Sequence, residues 1–415
     1  MVEKIIIIGA GQAGLSVSYF LSKERIPHSI VERGTVANSW KRNRWDSFCL
    51  VTPNWTINLP GKTYSGSDSD GFMSGEDFVK YLEDWASSFS APVIPETEVN
   101  GISGSPGSFK LETSGGNLDA SVVVVATATY QKPKIPDFSE SLPDNIDQLN
   151  AETYKSPNQI GDGSVLVVGS GQTGCQIVED LIRADKKVYF SVSRTGRLPR
   201  RYRGRDCIEW QRDMGLLDRT PDMLDSLKDR FKGDPHVSGR DGGKTISLHD
   251  FRRKGVELLG KVRSVKGCIL EVEENLRMSL DFADRFAVDF FNKVDEHISK
   301  EGLNVDPATP DEVTGFSRLT DEPIIEKREL CLREKNINTI IFATGFSYDF
   351  SWIDFPVTDE MGYPETRNGE TKVEGMYFCG LNWMAKRKSG IIWGVGEDAK
   401  HVANSIVRNL NQAYV

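Results

Sequence analysis

The sequence predicts an α/β fold in which one chain of 415 residues builds two Rossmann-like domains. The first observation is a glycine-rich pattern that occurs twice, at 9–14 (GAGQAG) and at 169–174 (GSGQTG). The second is its context, because an aliphatic run precedes each copy, at 5–8 and 165–168, and a helix-like stretch follows it. A strand, a glycine turn and a helix in this order bind the pyrophosphate of a dinucleotide. Two dinucleotide sites are therefore predicted.

Each glycine of the pattern has its own physical role. The first allows the tight turn, the second lets the backbone approach the pyrophosphate, and the third lets the helix pack against its strand. The positive end of the helix dipole then faces the anion. The residues of the two copies that are expected to contact a cofactor are Gly9, Gly11, Gln12, Ala13, Gly14, Gly169, Gly171, Gln172, Thr173 and Gly174.

An acidic residue stands at the end of the second predicted strand of the first unit. That strand, 28–31, leads to Glu32, where a carboxylate accepts hydrogen bonds from the hydroxyl groups of an adenosine ribose. This arrangement suits an adenosine without a 2′-phosphate. The first unit is therefore expected to bind FAD.

Arginines stand at the corresponding place in the second unit. Its strand 187–192 leads to Ser193 and Arg194, and more arginines follow at Arg197, Arg200, Arg201, Arg203 and Arg205. Guanidinium groups bind phosphate through paired hydrogen bonds, whereas a carboxylate would repel it. The pattern therefore favours NADPH over NADH. A solvated basic loop or a nucleic-acid patch is the alternative interpretation of the same arginines.

Composition narrows the remaining classes of protein. The chain has 51 basic and 60 acidic residues and a net charge of −9, which argues against general affinity for nucleic acid or anionic membranes. Its six cysteines include no CxxC pair and its five histidines have no metal-ligand spacing, so a reducing compartment and no metal site are expected. No leader-like segment and no apolar run of about 20 residues is seen, and a cytoplasmic protein is expected.

The order of patterns along the chain predicts that the NADPH unit is inserted in the FAD unit. Two buried-strand runs, 121–126 and 339–343, each end in a small-residue turn that suits a crossing between domains. The predicted domains are 1–155 (FAD, first part), 156–328 (NADPH) and 329–415 (FAD, second part). Within 206–328, a helix with an apolar stripe is expected at 281–298, and a mobile loop at 233–245.

Taken together, these motifs resemble the class B flavoprotein monooxygenases, that is, the flavin-containing monooxygenase family, and in particular its small bacterial branch and the plant indole-pyruvate monooxygenases. The segments that carry the resemblance are 9–14, Glu32, 39–40, 44–46, 50–54, 122–126 with the following Pro-x-x-Pro turn, 169–174, 200–201, 343–345 and 377–380. Two departures are present. In the family's linking motif, Phe138 and Tyr154 remain, but Asn150 stands where a histidine is expected and the glycine is missing; the first ATG-like turn reads Ala126-Thr127-Ala128.

The resemblance implies a reaction. NADPH reduces the flavin, O2 adds to the reduced ring at C4a, and the hydroperoxyflavin passes one oxygen atom to a small organic substrate. By motif position Asn54 is the catalytic candidate beside the flavin, and an ordinary Pro-Asn turn is the alternative. Further cofactor contacts are expected at Arg33, Trp40, Trp45, Thr52, Val99, Thr127, Ser193, Arg194, Arg200, Arg201 and Gly380. The family also implies a last helix whose N-terminus, after Gly394, points at the flavin, and a possible homodimer.

Two other functions stay open at this point. An NAD(P)H-dependent flavoprotein reductase or oxidase that inserts no oxygen is favoured by the altered linking motif. A nucleotide-binding sensor rests only on the same departures. The basic run Lys386-Arg387-Lys388 is either solvated or faces the cleft, and in the second case it would favour an anionic substrate.

Overall fold

A computed structural model of the protein describes residues 4–310, 312 and 323–413. Its framework is two five-stranded sheets in which all pairings are parallel. The first sheet has the strand order Met376–Phe378, Val122–Val125, Ile5–Ile8, Ser29–Val31 and Val93–Ile94. The second has the order Asp147–Asn150, Ile337–Phe342, Ser164–Val168, Lys187–Ser191 and Glu257–Leu259. The predicted α/β fold with two Rossmann-like domains is confirmed.

The central strands have apolar side chains on both faces, because both faces of each sheet are covered by other parts of the chain. Ile5 and Ile7 belong to one core cluster and Ile6 and Ile8 to another, because side chains alternate between the faces of a strand. The strand Ser164–Val168 divides its residues between two further clusters in the same way. Each sheet is therefore the centre of its own core.

Eight α-helices pack around the sheets in the described part of the chain. They are Gln12–Lys23, Asn38–Arg42, Gly75–Ser88, Gln172–Arg183, Cys207–Asp213, Leu248–Arg253, Leu276–Glu301 and Val395–Ala413. Short 3-10 turns are found at Asn54–Thr56, Asp137–Ser141, Pro157–Gln159, Pro221–Met223, Leu227–Phe231, Arg240–Gly242 and Arg387–Gly390. Within the described residues, none of the helices is long and apolar enough to cross a bilayer.

The long helix Leu276–Glu301 contains the predicted helix at 281–298, but its buried face differs from the predicted stripe. The predicted stripe consists of Phe282, Phe286, Phe290, Val294 and Ile298. Phe290 and Val294 are buried as expected, whereas Phe286 is 38 % exposed and Ala283 and Ala287 are buried in its stead. Steps of four residues advance by more than one turn, so a strict four-residue stripe drifts around the helix. The core face instead alternates steps of three and four.

Smaller antiparallel sheets complete the chain. They pair Asn58–Leu59 with Lys62–Thr63, Val99–Ser105 with Ser108–Thr113 and Leu118–Ala120, Lys132–Pro133 with Phe346–Ser347, Arg201–Tyr202 with Arg205–Asp206, and Val262–Lys266 with Ile269–Val272 and Glu329–Cys331.

Sheet membership places the first crossing earlier in the chain than the predicted boundary at 155/156, and the second crossing later than the predicted boundary at 328/329. The strands Asp147–Asn150 and Ile337–Phe342 were both assigned to the FAD unit, yet both lie in the second sheet. The reason is the position of Ile337–Phe342, which pairs in parallel with Ser164–Val168 on one side and with Asp147–Asn150 on the other. The two crossing segments then pair with each other, at Lys132–Pro133 and Phe346–Ser347.

Candidate functional site

The first glycine pattern has two positions that the fold fills and one that it leaves open. Gly9 has a φ of +106°, and a Cβ there would lie 2.8 Å from the carbonyl oxygen of Ala126. A Cβ on Gly14 would lie 1.9 Å from the carbonyl oxygen of Gly9. At Gly11, by contrast, a Cβ would meet no atom within 4 Å. The space at the second glycine is thus free for a ligand.

The second pattern repeats this geometry. Gly169 has a φ of +104°, and its Cβ would lie 2.5 Å from the carbonyl oxygen of Ala343. A Cβ on Gly174 would lie 1.9 Å from the carbonyl oxygen of Gly169, and Gly171 is open. The helices that begin after Gly11 and Gly171 have no side-chain cap, so the N–H groups of their first turns have no side-chain acceptor. We call residues 9–14 the first cradle and residues 169–174 the second cradle. Both cradles fit the pyrophosphate of a dinucleotide.

Glu32 lies beside the first cradle. It is buried, and its carboxylate accepts hydrogen bonds from the backbone N–H of Ala10 at 2.8 Å and of Gly34 at 3.0 Å. These two bonds fix the carboxylate and occupy one acceptor position on each oxygen. The remaining acceptor positions suit ribose hydroxyl groups, so the geometry agrees with the predicted FAD contact.

A polar cavity of about 310 Å³ lies next to Glu32. It is lined by Arg33, Gly34, Asn38, Arg42, Asn43, Glu96, Glu98, Gln131 and Glu152. Of the residues predicted to contact a cofactor, Arg33 lines this cavity. Val99 does not line it but follows the lining residue Glu98 in the sequence. A larger cavity of about 770 Å³, between the first and last helices, contains Glu24 and Arg408 and none of the predicted site residues.

The two tryptophans predicted at the cofactor have different surroundings. The Trp40 indole donates to Oε1 of Gln12 at 2.9 Å, which places it against the first cradle. Trp45 is 4 % exposed and packs in the core of the second sheet, with Phe48 edge-to-face at 5.1 Å. Trp45 therefore joins the two domains, a position that its spacing from Trp40 does not reveal.

Asn54 is buried and its amide is engaged with the loop 68–73. Its Nδ2 donates to the carbonyl of Asp68 at 2.9 Å, and its Oδ1 accepts from the N–H of Met73 at 2.8 Å. Nearby, the Thr52 hydroxyl accepts from Thr56 at 3.0 Å. The side chain of Asn54 thus fixes a loop, as the alternative interpretation expects. Its role beside the flavin stays a prediction.

Gly380 and the ATG-like turn hold the first cradle from the other side. Gly380 has a φ of +85°, and a Cβ there would lie 2.4 Å from the Cβ of Ala13. Thr127 accepts a hydrogen bond from the Gln131 amide at 3.2 Å. Ala128 adopts a φ of +63°, the left-handed conformation that suits the glycine usual at this place. The backbone therefore keeps the glycine-like turn although the sequence departs from it.

The second departure, Asn150, is also accommodated locally. Its side-chain oxygen accepts from the N–H groups of Glu152 and Thr153, at 2.9 and 3.1 Å, which makes an Asx turn at the end of a strand. Four residues later, the hydroxyl of Tyr154 donates to Asp180 at 2.8 Å. An Asx turn thus stands at the position of the linking motif where the histidine is expected.

The predicted arginines separate into exposed and buried ones. Arg194 is exposed at the end of the strand Lys187–Ser191, with its guanidinium 5.3 Å from the ring centre of Phe282. Arg201 is exposed and donates to the carbonyls of Gly242 and Gly243. Just before Arg194, the N–H of Ser193 donates to the Ser170 hydroxyl at 2.9 Å, which connects the strand end to the second cradle.

Arg200 has a different set of partners from the predicted phosphate. It is 2 % exposed, pairs with Asp206 at 2.5 Å and donates to the carbonyl of Val51 at 2.8 Å. Since Asp206 balances its charge, Arg200 supplies no free cation to a nucleotide. The sequence pattern did not distinguish this buried arginine from its exposed neighbours.

The segment 236–238, within the stretch 233–245 where a mobile loop is predicted, covers the second cradle and is hydrogen-bonded to it. Gln172 binds the backbone of Val237 twice, through its Nε2 at 2.7 Å and its Oε1 at 2.9 Å. Ser238 donates to Glu179 at 2.8 Å. Polar side chains of the cradle helix thus bind the backbone of Val237 and the side chain of Ser238.

His236 is a residue that sequence analysis missed. Its ring is fully buried, and neither ring nitrogen has a hydrogen-bond partner within the described part of the chain. Burial, together with the charge of Arg197, lowers the pKa of His236 to about 3, although the backbone of Ser170 opposes the shift. A neutral imidazole therefore lies beside the second cradle. A single histidine in a polar segment gave no signal of this position.

Arg197 and Asp284 hold the loop after the strand Lys187–Ser191 on the long helix. Arg197 donates to Asp284 at 2.6 Å, and His249 contacts the other oxygen of Asp284 at 3.0 Å. Burial alone would raise the pKa of Asp284, but the bond from His249 and the charge of Arg197 lower it.

The basic run 386–388 is paired with carboxylates, and only Lys388 of its three side chains is buried. Lys386 and Lys388 both pair with Asp218 and Glu397, at 2.5–3.0 Å, and Arg387 pairs with Asp234 at 2.9 Å. These ion pairs connect the start of the last helix to the segment after 205 and cancel the charge of the run.

Two groups lie at the start of the last helix. Asp398 is 3 % exposed, its Oδ2 has no hydrogen-bond partner among the described residues, and burial raises its pKa to about 6. Trp393, just before the helix, meets Trp55 edge-to-face at 5.3 Å. Since Trp55 follows Asn54, the helix start and the Asn54 segment share one surface.

Comparison with known proteins places this architecture. A family model for pyridine nucleotide-disulphide oxidoreductases matches residues 6–204. The chain is 32 % identical to the uncharacterized oxidoreductase CzcO-like of Geobacillus kaustophilus, over 98 % of both chains. It is 30 % identical to the probable indole-3-pyruvate monooxygenase YUCCA1 of Arabidopsis thaliana, over 98 % of this chain and 90 % of that protein.

Two solved structures share the fold over 98 % of this chain and 99 % of theirs. They are a flavin-containing monooxygenase from Stenotrophomonas maltophilia, with a TM-score of 0.63 at 16 % identity, and the bacillithiol disulfide reductase Bdr (YpdA) from Staphylococcus aureus, with a TM-score of 0.61 at 14 % identity. At these identities the likeness concerns the fold alone.

Proposed function

We propose that this chain, which belongs to the CzcO-like oxidoreductases, is a monooxygenase that uses FAD, NADPH and O2 to insert one oxygen atom into a small organic substrate. The protein is a flavin-dependent NAD(P)H oxidoreductase. The observation that carries it is the pair of cradles with the same open second glycine, Gly11 and Gly171. Oxygen insertion is supported by full-length similarity to the plant protein named as a monooxygenase.

The residues of the first cradle fit FAD. The N–H groups at the start of Gln12–Lys23 would bind its pyrophosphate and Glu32 its ribose, while Trp40 keeps the Gln12 side chain in place. Bound FAD supplies the electron transfer and the reaction with O2. The residues of this chain have the tasks of binding it, orienting it and keeping water away.

The residues of the second cradle fit NADPH. Arg194 lies at the strand end where an adenosine 2′-phosphate would bind, and among the described residues it has no carboxylate within 4 Å. Of the arginines proposed for this contact, Arg200 is neutralised by Asp206. The preference for NADPH thus rests on Arg194, with Arg201 as an exposed neighbour.

The surface between the Asn54 segment and the last helix supports an uncharged substrate. Its aromatic wall is the Trp55–Trp393 pair, and the ammonium of Lys388, 5.6 Å from the Trp393 ring centre, is already paired with Glu397. An anionic substrate would find no free cation in this run. We propose a sulfide, an amine or a carbonyl compound rather than a carboxylate.

The alternative is a flavoprotein reductase or oxidase that inserts no oxygen. The similar fold of a disulfide reductase and the turn at Asn150 support it. The cysteines oppose its disulfide-reductase form, because four of the six are buried and the remaining two, Cys268 and Cys331, lie at the small antiparallel sheet of Ile269–Val272 and Glu329–Cys331 rather than in a cradle.

Rapid mixing separates the two functions. Protein reduced anaerobically with NADPH is mixed with O2, and the spectrum is followed together with released peroxide. A monooxygenase is expected to show a transient spectrum distinct from both reduced and oxidised flavin, and to form an oxygenated product with a substrate. Direct reoxidation with quantitative peroxide, for every substrate tested, would support the alternative. A colourless protein that cannot be reconstituted with FAD would contradict both.

The partners stay predictions. We propose that the protein acts in the cytoplasm on a small molecule, without nucleic acid or a membrane, and as a homodimer. Light scattering of the purified protein measures the last point directly.

A further inference from the structure

Two cysteines that are far apart in sequence lie next to each other in the structure. The Sγ atoms of Cys268 and Cys331 are 3.5 Å apart. Both residues are half-buried, whereas Cys49, Cys175, Cys207 and Cys379 are buried. CxxC spacing does not mark this pair, because the two thiols meet only through the pairing of strands.

The backbone on both sides of the pair is fixed. Cys331 ends the strand Glu329–Cys331 and pairs with Ile269, the residue after Cys268. The N–H of Leu332 donates to the carbonyl of Cys268 at 2.8 Å. Only the side chains therefore have to move for the sulfur atoms to approach from 3.5 Å to the bond length of about 2.0 Å.

The two thiols are also chemically unequal. Backbone N–H groups, first that of Glu334, lower the pKa of Cys331 despite partial burial. The hydrogen bond between the two thiols raises the pKa of Cys268. Burial raises the pKa of the Cys49 thiol to about 11 and of Cys207 to about 12. Since the thiolate is the reactive form, Cys331 is the expected first site of oxidation and Cys268 its resolving partner.

We propose that Cys268 and Cys331 are a peroxide-oxidised thiol pair that forms a reversible disulfide. The Cys331 thiolate attacks one oxygen of hydrogen peroxide, the O–O bond breaks, and Cys331 becomes a sulfenic acid with release of hydroxide. The Cys268 sulfur then attacks the Cys331 sulfur, and the sulfenic oxygen leaves as water. In total, two thiols and one hydrogen peroxide give one disulfide and two waters, and a dithiol reductant reverses the reaction.

This pair is separate from the nucleotide cradles. Cys268 packs against a core cluster on one face of the second sheet, with Leu142, Val262 and Leu330, and no residue of the first cradle belongs to that cluster. The proposal therefore does not rest on the proposed function. A disulfide here would connect the two ends of the segment 268–331, which contains the helix Leu276–Glu301.

The test is peptide mapping of the purified protein after exposure to hydrogen peroxide. Remaining thiols are blocked with N-ethylmaleimide, and the unreduced digest is measured by mass spectrometry. We expect one cross-linked peptide pair that joins 268 and 331, lighter by two hydrogens than the free peptides, and its loss after dithiothreitol. Cys49→Ala is the matched control and should form the cross-link to the same extent as wild type. Free thiols at both positions, or sulfinic acid at Cys331 without cross-link, would overturn the proposal.

Two variants separate the roles of the thiols. Cys268→Ser removes the resolving partner, so peroxide should leave a sulfenic acid on Cys331 that dimedone captures. Cys331→Ser should leave Cys268 as a free thiol at the same peroxide dose. If instead Cys268 is the residue oxidised in both wild type and Cys331→Ser, the proposed order is wrong. Because Cys268 lies in the turn between Val262–Lys266 and Ile269–Val272 while Cys331 lies in the strand Glu329–Cys331, a folding defect in one variant leaves the other measurement intact.

Discussion

At the scale of single residues, the glycines of each cradle divide into those that the fold requires and one that only a ligand requires. Gly14 and Gly174 would place a Cβ 1.9 Å from a carbonyl oxygen, so they hold helix against strand. Gly11 has a φ of −85° and open space around it, so a side chain there costs the folded chain little. Substitution at the second glycine therefore isolates ligand binding from folding.

Gly11→Val and Gly171→Val should have complementary effects. The first is expected to fold but to lose its FAD, of which wild type should hold about one per chain, because the new side chain occupies the place of the pyrophosphate. The second should keep FAD and raise the KM for NADPH about tenfold or more. Flavin absorbance and steady-state kinetics measure both, with Gly14→Ala as a control that should fail to fold. Retention of FAD by Gly11→Val would contradict the first cradle as its site.

Arg194→Ala should raise the KM for NADPH by about ten- to a hundredfold, because a charge-assisted hydrogen bond contributes roughly 1.5–3 kcal/mol. The KM for NADH should stay nearly unchanged. Arg200→Ala is the matched comparison, since it removes the ion-pair partner of the half-buried Asp206 and should lower the free energy of unfolding by about 1.5–3 kcal/mol without changing the choice of nucleotide. Equal use of both nucleotides by wild type would show that Arg194 has no such role.

Ala128→Gly should raise the free energy of unfolding by about 1 kcal/mol, because Ala128 occupies the left-handed region at a φ of +63°. Ala126→Gly, two residues earlier in the buried strand end, should lower it by about 0.5–1 kcal/mol. Thermal unfolding of both variants measures the contrast. Destabilisation by both changes would mean that Ala128 bears no backbone strain.

At the scale of elements, the start of the last helix sets two electrostatic effects against each other. A helix N-terminus stabilises a carboxylate by about 0.3–1 kcal/mol, which would lower the pKa of an aspartate there. Asp398 nevertheless has a pKa raised to about 6, mainly because it is buried, so desolvation is the larger effect. The folded protein therefore holds this proton at a pH where the unfolded chain has released it.

This difference predicts a slope of stability with pH. Between about pH 4 and 6 the folded state binds more protons at Asp398 than the unfolded state, so the contribution of Asp398 to the free energy of unfolding should fall as pH rises, by up to about 3 kcal/mol. His236 works in the opposite direction, because its lowered pKa makes the folded state lose stability as pH falls below its ordinary value. Asp398→Asn isolates the first effect. Its unfolding curves should show a gain over wild type that grows from pH 4 to 6 and then stays constant; a constant difference at all pH values would contradict the assignment.

At the scale of the whole molecule, one carboxylate connects the domains. Asp180, on the helix of the second cradle, accepts from Ser47 at 2.7 Å, Arg240 at 2.8 Å and Tyr154 at 2.8 Å. Ser47 belongs to the first unit. Asp180→Asn should therefore weaken the contact between the domains as well as the second domain itself.

Calorimetry tests this connection. Asp180→Asn is expected to lower Tm and to separate a single unfolding transition into two, because the domains then lose their shared buried charge. Ser47→Ala removes one of these bonds and should cause a smaller change, of about 1 kcal/mol. An unchanged single transition in Asp180→Asn would show that other contacts hold the domains together.

Local patterns predicted the framework of this molecule, and contacts between distant segments explain what they left out. The glycine cradles, Glu32 and the strand before it depend on neighbours within one strand-turn-helix unit, so their spacing was informative. Asp206 neutralises Arg200 through a fold of the chain that no spacing indicates. The position of His236 over the second cradle depends on Gln172, far earlier in the sequence. The domain boundaries moved for a similar reason, since the sheet that a buried strand joins depends on its partners.

The pairing of the two crossing segments has a mechanical consequence. Lys132–Pro133 and Phe346–Ser347 run antiparallel and pair with each other, so the chain crosses between the domains twice at one place. Two connections side by side resist twisting and sliding, while they allow bending about the line on which both lie. A movement of one domain relative to the other would then be a hinge rotation about that line. Gly9 lies against Ala126 and Gly169 against Ala343, both just before a crossing segment, so both cradles lie near that line. A rotation about it therefore changes the distance between the cradles less than the distance between the outer edges of the domains.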